Sequence, residues 1–357
     1  METDEMIFSL KNHPACSFTK QQARNFLKDH NIQKDQICRL FSWFITLELV
    51  EPGCELVASQ MVNFYNEYCE MLEQTPNPYA LIGHADQSII TKDMPRSVDC
   101  FVQALNSIGC PPVNDPIAIG TRILSFIAKN KSSYTQGYDR FMWVSLALSL
   151  HFSNYFNFPP IFAESLAYQL IYKLIQIGRY SYFLNPVTSD DYFNQLSNMI
   201  LEKAEPISQK LADCDVSPFL FALKWRLIFF ADNHNTIDLL IIWDNIFYHI
   251  DDLEKYFMCL CIAHLQQIDM TDEQKYLVEE IQTFRNWNTL GILESAENLM
   301  RPSYVRAGKV AMTALTIGAA LVGTIIGFGR SGTLSANIVN DLDVVSEIYE
   351  LIKFDFL

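Results

Sequence analysis

The sequence predicts an all-α fold, and three observations carry that reading: apolar residues recur at three-to-four spacing, glycine and proline are sparse, and strand-like alternation between turn pairs is nearly absent. Half of the 357 residues are apolar. A chain of this length can bury a large core, as two domains or as one two-lobed unit.

The elements follow in chain order. Thr19 with Gln22 has capping-box spacing and marks a helix start. Leu105 and Ile108, then Ile123, Phe126 and Ile127, keep the helical period, with one helix ending near Lys131 and the apolar run Phe141 to Leu150 beyond it. Ser217 before Pro218 reads as an N-cap with proline at the first helical position, and Thr271 with Gln274 repeats the capping-box spacing. No solenoid repeat or low-complexity linker interrupts residues 1–300, which read as one packed cytosolic unit.

The composition then breaks. Val310 to Phe328 contains no charged residue, and at about 1.5 Å per residue it spans close to the ~30 Å hydrocarbon core of a bilayer. A core helix normally keeps one polar face, and this run keeps none, so residues 310–328 are expected to form a transmembrane helix. Arg301, Arg306 and Lys309 make 301–309 a basic juxtamembrane segment, whereas Arg330 is the only cation close behind the run. The positive-inside bias therefore leaves the N-terminal side in the cytosol. Gly323 and Gly327 give a G-x-x-x-G face for another membrane helix. Residues 329–357 form a short acidic tail with helical spacing, either in the lumen or lying along the membrane.

Charge and cysteines narrow the function classes. With 26 Lys plus Arg against 41 Asp plus Glu, and no basic cluster, the net charge of -15 disfavours nucleic acid as a partner. Nine cysteines without a C-x-x-C pair argue against a zinc ribbon or a disulfide framework and point to reduced thiols. The acidic start lacks the basic region of a signal peptide. Gly327 to Gly332 matches G-x-G-x-x-G but follows a helix-length run rather than a strand, and no P-loop or H-E-x-x-H is present.

Two short polar stretches stand out. One is Ile90-Thr-Lys-Asp93-Met-Pro95-Arg96-Ser97, and the other is Tyr134-Thr-Gln136-Gly137-Tyr138. In order and separation they resemble the I-x-x-D-x-x-R and Y-x-Q-G signatures of the TBC-domain Rab GTPase-activating family. Arg39 to Trp43 resembles that family's R-x-x-x-W, Glu205-Pro206 to Leu211 with Val216-Ser-Pro218 its P-x-L-x-x-x-L segment, and Trp225 with Trp243-Asp244 its tryptophan blocks. The likeness covers residues about 32 to 265. It departs at Arg140, where many members carry an acidic or small residue, and from Tyr65 to Ser88, which shows no landmark.

The resemblance implies a two-lobed multi-helix domain that acts on a GTP-bound Rab, with no NTPase activity and no cofactor of its own, because GTP and Mg arrive on the partner. Hydrolysis spreads charge over the transferred phosphoryl oxygens, and an arginine supplied in trans contributes about 10³- to 10⁵-fold in rate. The family pattern makes Arg96 that finger and Gln136 a second finger orienting the attacking water. Asp93, Tyr134 and Gly137 are expected in support: Asp93 capping a helix or bonding loop backbone, Pro95 fixing the local φ, Tyr134 bracing, and Gly137 relieving the turn. Both fingers are expected on neighbouring loops. For Arg39, Trp43, Trp225, Trp243 and Asp244 a core role is expected instead.

A TBC domain before a C-terminal anchor further resembles the family's branch anchored in the endoplasmic reticulum. That implies residence on the cytosolic face of this membrane and control of early secretory traffic. The alternative from another class is a non-catalytic, membrane-anchored Rab-binding scaffold, and a third reading is a helical membrane adaptor unrelated to GTPases.

Overall fold

The computed structural model describes residues 2–30, 34–131, 133–183, 185–270 and 274–301. Among them are sixteen α-helices and no strand. The first eight are α1 (Thr3–Lys11), α2 (Lys20–Lys28), α3 (Gln36–Thr46), α4 (Cys54–Gln74), α5 (His84–Ser107), α6 (Pro116–Asn130), α7 (Tyr138–Tyr155) and α8 (Pro160–Gly178). The chain continues through α9 (Tyr180–Phe183), α10 (Pro186–Lys203), α11 (Glu205–Asp213), α12 (Phe219–Ile228), α13 (Thr236–Tyr248), α14 (Leu253–Leu265), α15 (Gln274–Thr283) and α16 (Thr289–Met300). Residues Met1–Met300 make one compact unit. The expected membrane helix 310–328 with Gly323 and Gly327, its flank 302–309 and the tail 329–357 lie outside the described residues. Within the described residues no helix is long and apolar enough to cross a membrane.

Local chemistry sets the helix starts. At α2 the capping box forms as expected: Gln22 N–H donates to Thr19 Oγ1 at 3.2 Å, and Thr19 N–H donates to Gln22 Oε1 at 2.9 Å. Asp35, Asp115 and Asn235 accept from the third residue beyond them and cap α3, α6 and α13. The start of α12 falls one residue later than expected. Pro218 is itself the N-cap, and Ser217 Oγ accepts from Phe219 N–H at 3.3 Å. Thr271, the other expected cap, is outside the described residues.

Helix α7 is the hub. It is apolar on nearly all sides, so it can be satisfied only by burial, and α3, α5, α6, α8 and α12 pack around it. Ser145 is accommodated by bonding back onto its own helix, where its Oγ donates to the Phe141 carbonyl at 2.8 Å. Gly120 lets α6 come close: a Cβ there would lie 2.6 Å from Trp143 and 2.9 Å from both Met142 and Met94. Toward the C-terminus α13 packs on α2, α3, α5, α14 and α16, so α5, α7, α12 and α13 meet at a seam between earlier and later helices.

The residues expected in the core are packed there. Trp43, Trp225 and Trp243 are fully buried. Asp244, also fully buried, accepts from Trp43 Nε1 at 2.7 Å, Lys34 Nζ at 3.0 Å and Arg39 Nε at 3.1 Å. All nine cysteines are free.

A buried histidine, His264, and its half-buried neighbour His234 give this core an acid-labile point. His264 Nδ1–H donates to the Leu260 carbonyl at 2.7 Å, which leaves its Nε2 to accept from His234 Nε2–H at 2.9 Å. Burial pushes the His264 pKa down to about 3, and His234 is also lowered, by burial and by its neighbour. A histidine depressed in the folded state stabilises fully above its unfolded pKa, and the contribution is lost as pH falls from about 6.5 toward 3. Stability from urea unfolding at stepped pH should therefore fall by about 1.4 kcal/mol per unit more in the wild type than in His264→Gln below pH ~6. Equal slopes would show that these imidazoles do not set the acid sensitivity.

Candidate functional site

The first motif lies inside a helix rather than on a loop. Asp93, Pro95 and Arg96 all belong to α5, and Pro95 lies one residue before Arg96. Proline has no N–H for the Thr91 carbonyl one turn back, which weakens the helix ladder at this point. Neighbouring positions alternate in environment. Asp93, Met94 and Ser97 are buried, whereas Pro95 and Arg96 are exposed. Among the described residues Arg96 forms no hydrogen bond or salt bridge, and its guanidinium lies near enough to Asp93 to oppose the rise in that carboxyl's pKa.

Tyr134 ties the second motif to this helix. Asp86 and Asp93 stand two turns apart on α5, hence on one face. Tyr134 donates its backbone N–H to Asp86 Oδ1 at 3.1 Å and its hydroxyl to Asp93 Oδ2 at 2.9 Å. Asp93 thus braces the tyrosine side chain, and the expected carboxylate bond to loop backbone comes from Asp86 instead. Since Arg96 follows Asp93 by three residues and Gln136 follows Tyr134 by two, one hydrogen bond brings both motifs together. Gln136 is half-buried just ahead of α7. Gly137 caps that helix at φ +100°, where a side chain would be strained, and a Cβ would meet Ile228 Cγ2 at 2.8 Å.

The Tyr134 hydroxyl faces a second carboxylate, Asp139 Oδ1, at 3.2 Å. One hydroxyl hydrogen serves two buried acids, and both are pushed up. Burial and then the Asp139 charge raise the Asp93 pKa to about 6. Asp139 rises through burial, opposed chiefly by the Arg140 cation. A proton taken up by Asp93 just below neutrality supplies the second hydrogen. Behind them Trp143 Nε1 donates to Ser97 Oγ at 2.7 Å, and Ser97 donates to the Asp93 carbonyl at 2.9 Å. Tyr134→Phe should therefore leave two facing carboxyls without their donor and cost about 1–3 kcal/mol in urea unfolding. A change below about 0.5 kcal/mol would show the brace to be idle.

Sequence reasoning did not assign Asp86, Asp139 or Ile228 to this site, nor Asp232, whose Oδ1 lies 3.3 Å from Arg140 Nε. For Asp86 a signal existed, since it precedes Asp93 by two helical turns. Ile228 and Asp232 arrive from α12 and the turn after it, and no local pattern announces them. Among the described residues no group of three or more His, Cys, Asp or Glu could hold a metal ion.

Comparison with known proteins bears on this arrangement. The model of the Rab-GTPase-TBC domain family matches residues 38–271, a span that contains both motifs. The crystal structure of the Ypt/Rab-GAP domain of Gyp1p superposes with a TM-score of 0.57 at 13% identity, covering 84% of this chain and 98% of that one. That likeness is one of fold. The Chlamydomonas flagellar RabGAP TBC domain gives a TM-score of 0.46 at 14% identity, covering 79% and 84%. No curated protein matches the sequence.

Proposed function

The chain belongs to the Rab-GTPase-TBC domain family, and from that premise we propose that it accelerates GTP hydrolysis by a Rab GTPase through Arg96 and Gln136. The supporting observation is the Asp93–Tyr134 hydrogen bond of 2.9 Å, with an exposed arginine on one side of it and a glutamine on the other. Arg96 enters the partner's nucleotide site and neutralises charge developing on the phosphoryl oxygens, and its planar fork suits two oxygens at once. Gln136 offers an amide that both donates and accepts, which is what orienting an attacking water requires. GTP and Mg²⁺ are carried by the Rab. Asp93, Tyr134 and Gly137 hold the two groups in place.

The same proposal places the protein on the cytosolic face of the endoplasmic reticulum, anchored by residues 310–328 with Gly323 and Gly327 available for helix contact. Its support is the uncharged run and the cation bias before it. Alkaline carbonate extraction should leave the full chain in the membrane pellet and release a variant lacking 310–328. Release of the full chain would remove the anchor.

The test of activity is single-turnover hydrolysis by a panel of GTP-loaded Rabs with the full chain, Arg96→Ala and Gln136→Ala. Both variants should lose acceleration with their cognate Rab. Binding of a GTP-loaded Rab without faster hydrolysis would favour the scaffold reading, and failure to bind any member would favour the adaptor.

A further inference from the structure

Tyr134 anchors one end of the Gln136 segment on α5, and the other end is held by residues outside both motifs. Arg140 lies in the first turn of α7, and its backbone N–H donates to the Gly137 carbonyl at 3.0 Å. Its Nε lies 3.3 Å from Asp232 Oδ1 and 3.5 Å from Asp139 Oδ2, and its Nη1 reaches Cys100 Sγ on α5 at 3.3 Å. Lys224 on α12 holds the other Asp232 oxygen at 3.2 Å. One guanidinium therefore touches α5, the start of α7 and the turn after α12.

That turn is built at a conformational cost. Phe229 and Phe230 both take positive φ, at 52° and 62°, a region unfavourable for any residue with a Cβ. Tertiary contacts hold them there. Trp243 Nε1 donates to the Phe229 carbonyl at 2.9 Å, and the Phe230 ring stacks on His264 at 4.3 Å. Two features result from the reversal. Ile228 closes against Gly137, and Asp232 is turned back to face Arg140. Strained backbone kept by its surroundings is characteristic of functional sites.

We propose that the Arg140–Asp232 ion pair is a positioning strut for Gln136, fixing its amide relative to Arg96 by locking the start of α7 to both α5 and the α12 turn. The proposal rests on the reading of Gln136 as a finger. Arg140 and Asp232 are 32% and 15% exposed, so the pair is partly shielded from salt, and neither residue belongs to the deep core whose loss would unfold the domain. Gly137, with no Cβ at φ +100°, allows the segment to turn at the point where Arg140 holds it.

The experiment is single-turnover hydrolysis of a GTP-loaded Rab over a range of concentrations of the full chain, with Arg140→Gln, Arg140→Lys, Asp232→Asn, Gln136→Ala and the double variant Gln136→Ala/Arg140→Gln. Misplacement by about 1 Å can cost up to ~10²-fold in rate. Arg140→Gln and Asp232→Asn should therefore lower the maximal rate by roughly 10- to 10²-fold at an unchanged half-saturating concentration. Arg140→Lys should recover much of it. Because the strut acts through the amide, the double variant should be no slower than Gln136→Ala.

Each failure is separately readable. If Gln136→Ala slows hydrolysis but Arg140→Gln and Asp232→Asn do not, the strut is wrong and the finger reading stands. If Gln136→Ala has no effect, the finger reading itself fails. Losses that multiply in the double variant, or a raised half-saturating concentration at full maximal rate, overturn the strut by placing Arg140 in contact with the Rab. Melting temperatures identify any variant that fails to fold, and Asp232→Asn tests the pair from the other side if Arg140→Gln is lost in this way.

Discussion

Arg96→Ala should slow Rab-GTP hydrolysis at saturating protein by about 10³- to 10⁵-fold, equivalent to roughly 4–7 kcal/mol of transition-state stabilisation. The magnitude follows from the chemistry proposed for the side chain. Charge spreads over the phosphoryl oxygens as the bond to the leaving group loosens, and a fixed cation in a site closed to water stabilises it far more than one in bulk solvent. Arg96→Lys should recover little, because an ammonium is a strongly hydrated point charge without a planar fork. Folding should be untouched. Arg96 is exposed and, among the described residues, has no hydrogen bond or salt bridge to lose, so its truncation should shift stability by no more than about 0.5 kcal/mol. A variant that is folded, binds GTP-loaded Rab and hydrolyses at the wild-type rate would remove the arginine from the mechanism.

The largest effect on stability is expected at Asp244. Its carboxylate is the shared acceptor for Lys34, Arg39 and Trp43, and the two cationic side chains are only 2% and 1% exposed. Asp244→Ala strands both charges in the core, a change that costs about 3–5 kcal/mol. Typical domains have only about 5–15 kcal/mol to lose. Urea unfolding should show the midpoint collapsing toward zero denaturant. The attraction within the cluster is not the reason. Burying three charged groups carries a desolvation penalty that their pairing roughly offsets, so Lys34→Met/Arg39→Met/Asp244→Leu should regain most of the stability lost by Asp244→Ala. A loss below about 1 kcal/mol in the single variant would mean that water or backbone takes over the carboxylate's role. Activity per folded molecule should not change, since the cluster joins the α3 region to α13 and includes neither Arg96 nor Gln136.

Much of this was legible in the sequence, because it depends on interactions within a turn or two of helix. Apolar period specified α6 and α7, Thr19 and Gln22 specified the start of α2, and the family motifs singled out both stretches of the candidate site. The buried tryptophans followed from size and apolarity, and Asp244 lies in the core with them as expected. Other features escaped. Arg96 was expected on a loop because Asp-x-Pro reads locally as a break, yet α5 runs through Pro95 where packing on α6 and α7 supports it. Likewise, Pro218 marked the α12 start while the helix itself begins one residue further on.

The sequence by itself determined the helical fold, the family and which polar residues to suspect, since periodicity, caps and motif spacing are read along the chain. Only the tertiary structure decided their partners: Asp86 and Asp93 clasping Tyr134, Asp139 contesting its hydroxyl, Lys34 joining Arg39 on Asp244, and Asp232 brought round to Arg140. Those contacts depend on crossing angles and on a strained turn after α12, which are set by how the whole core packs. No stretch short enough to be read as a local pattern contains that information.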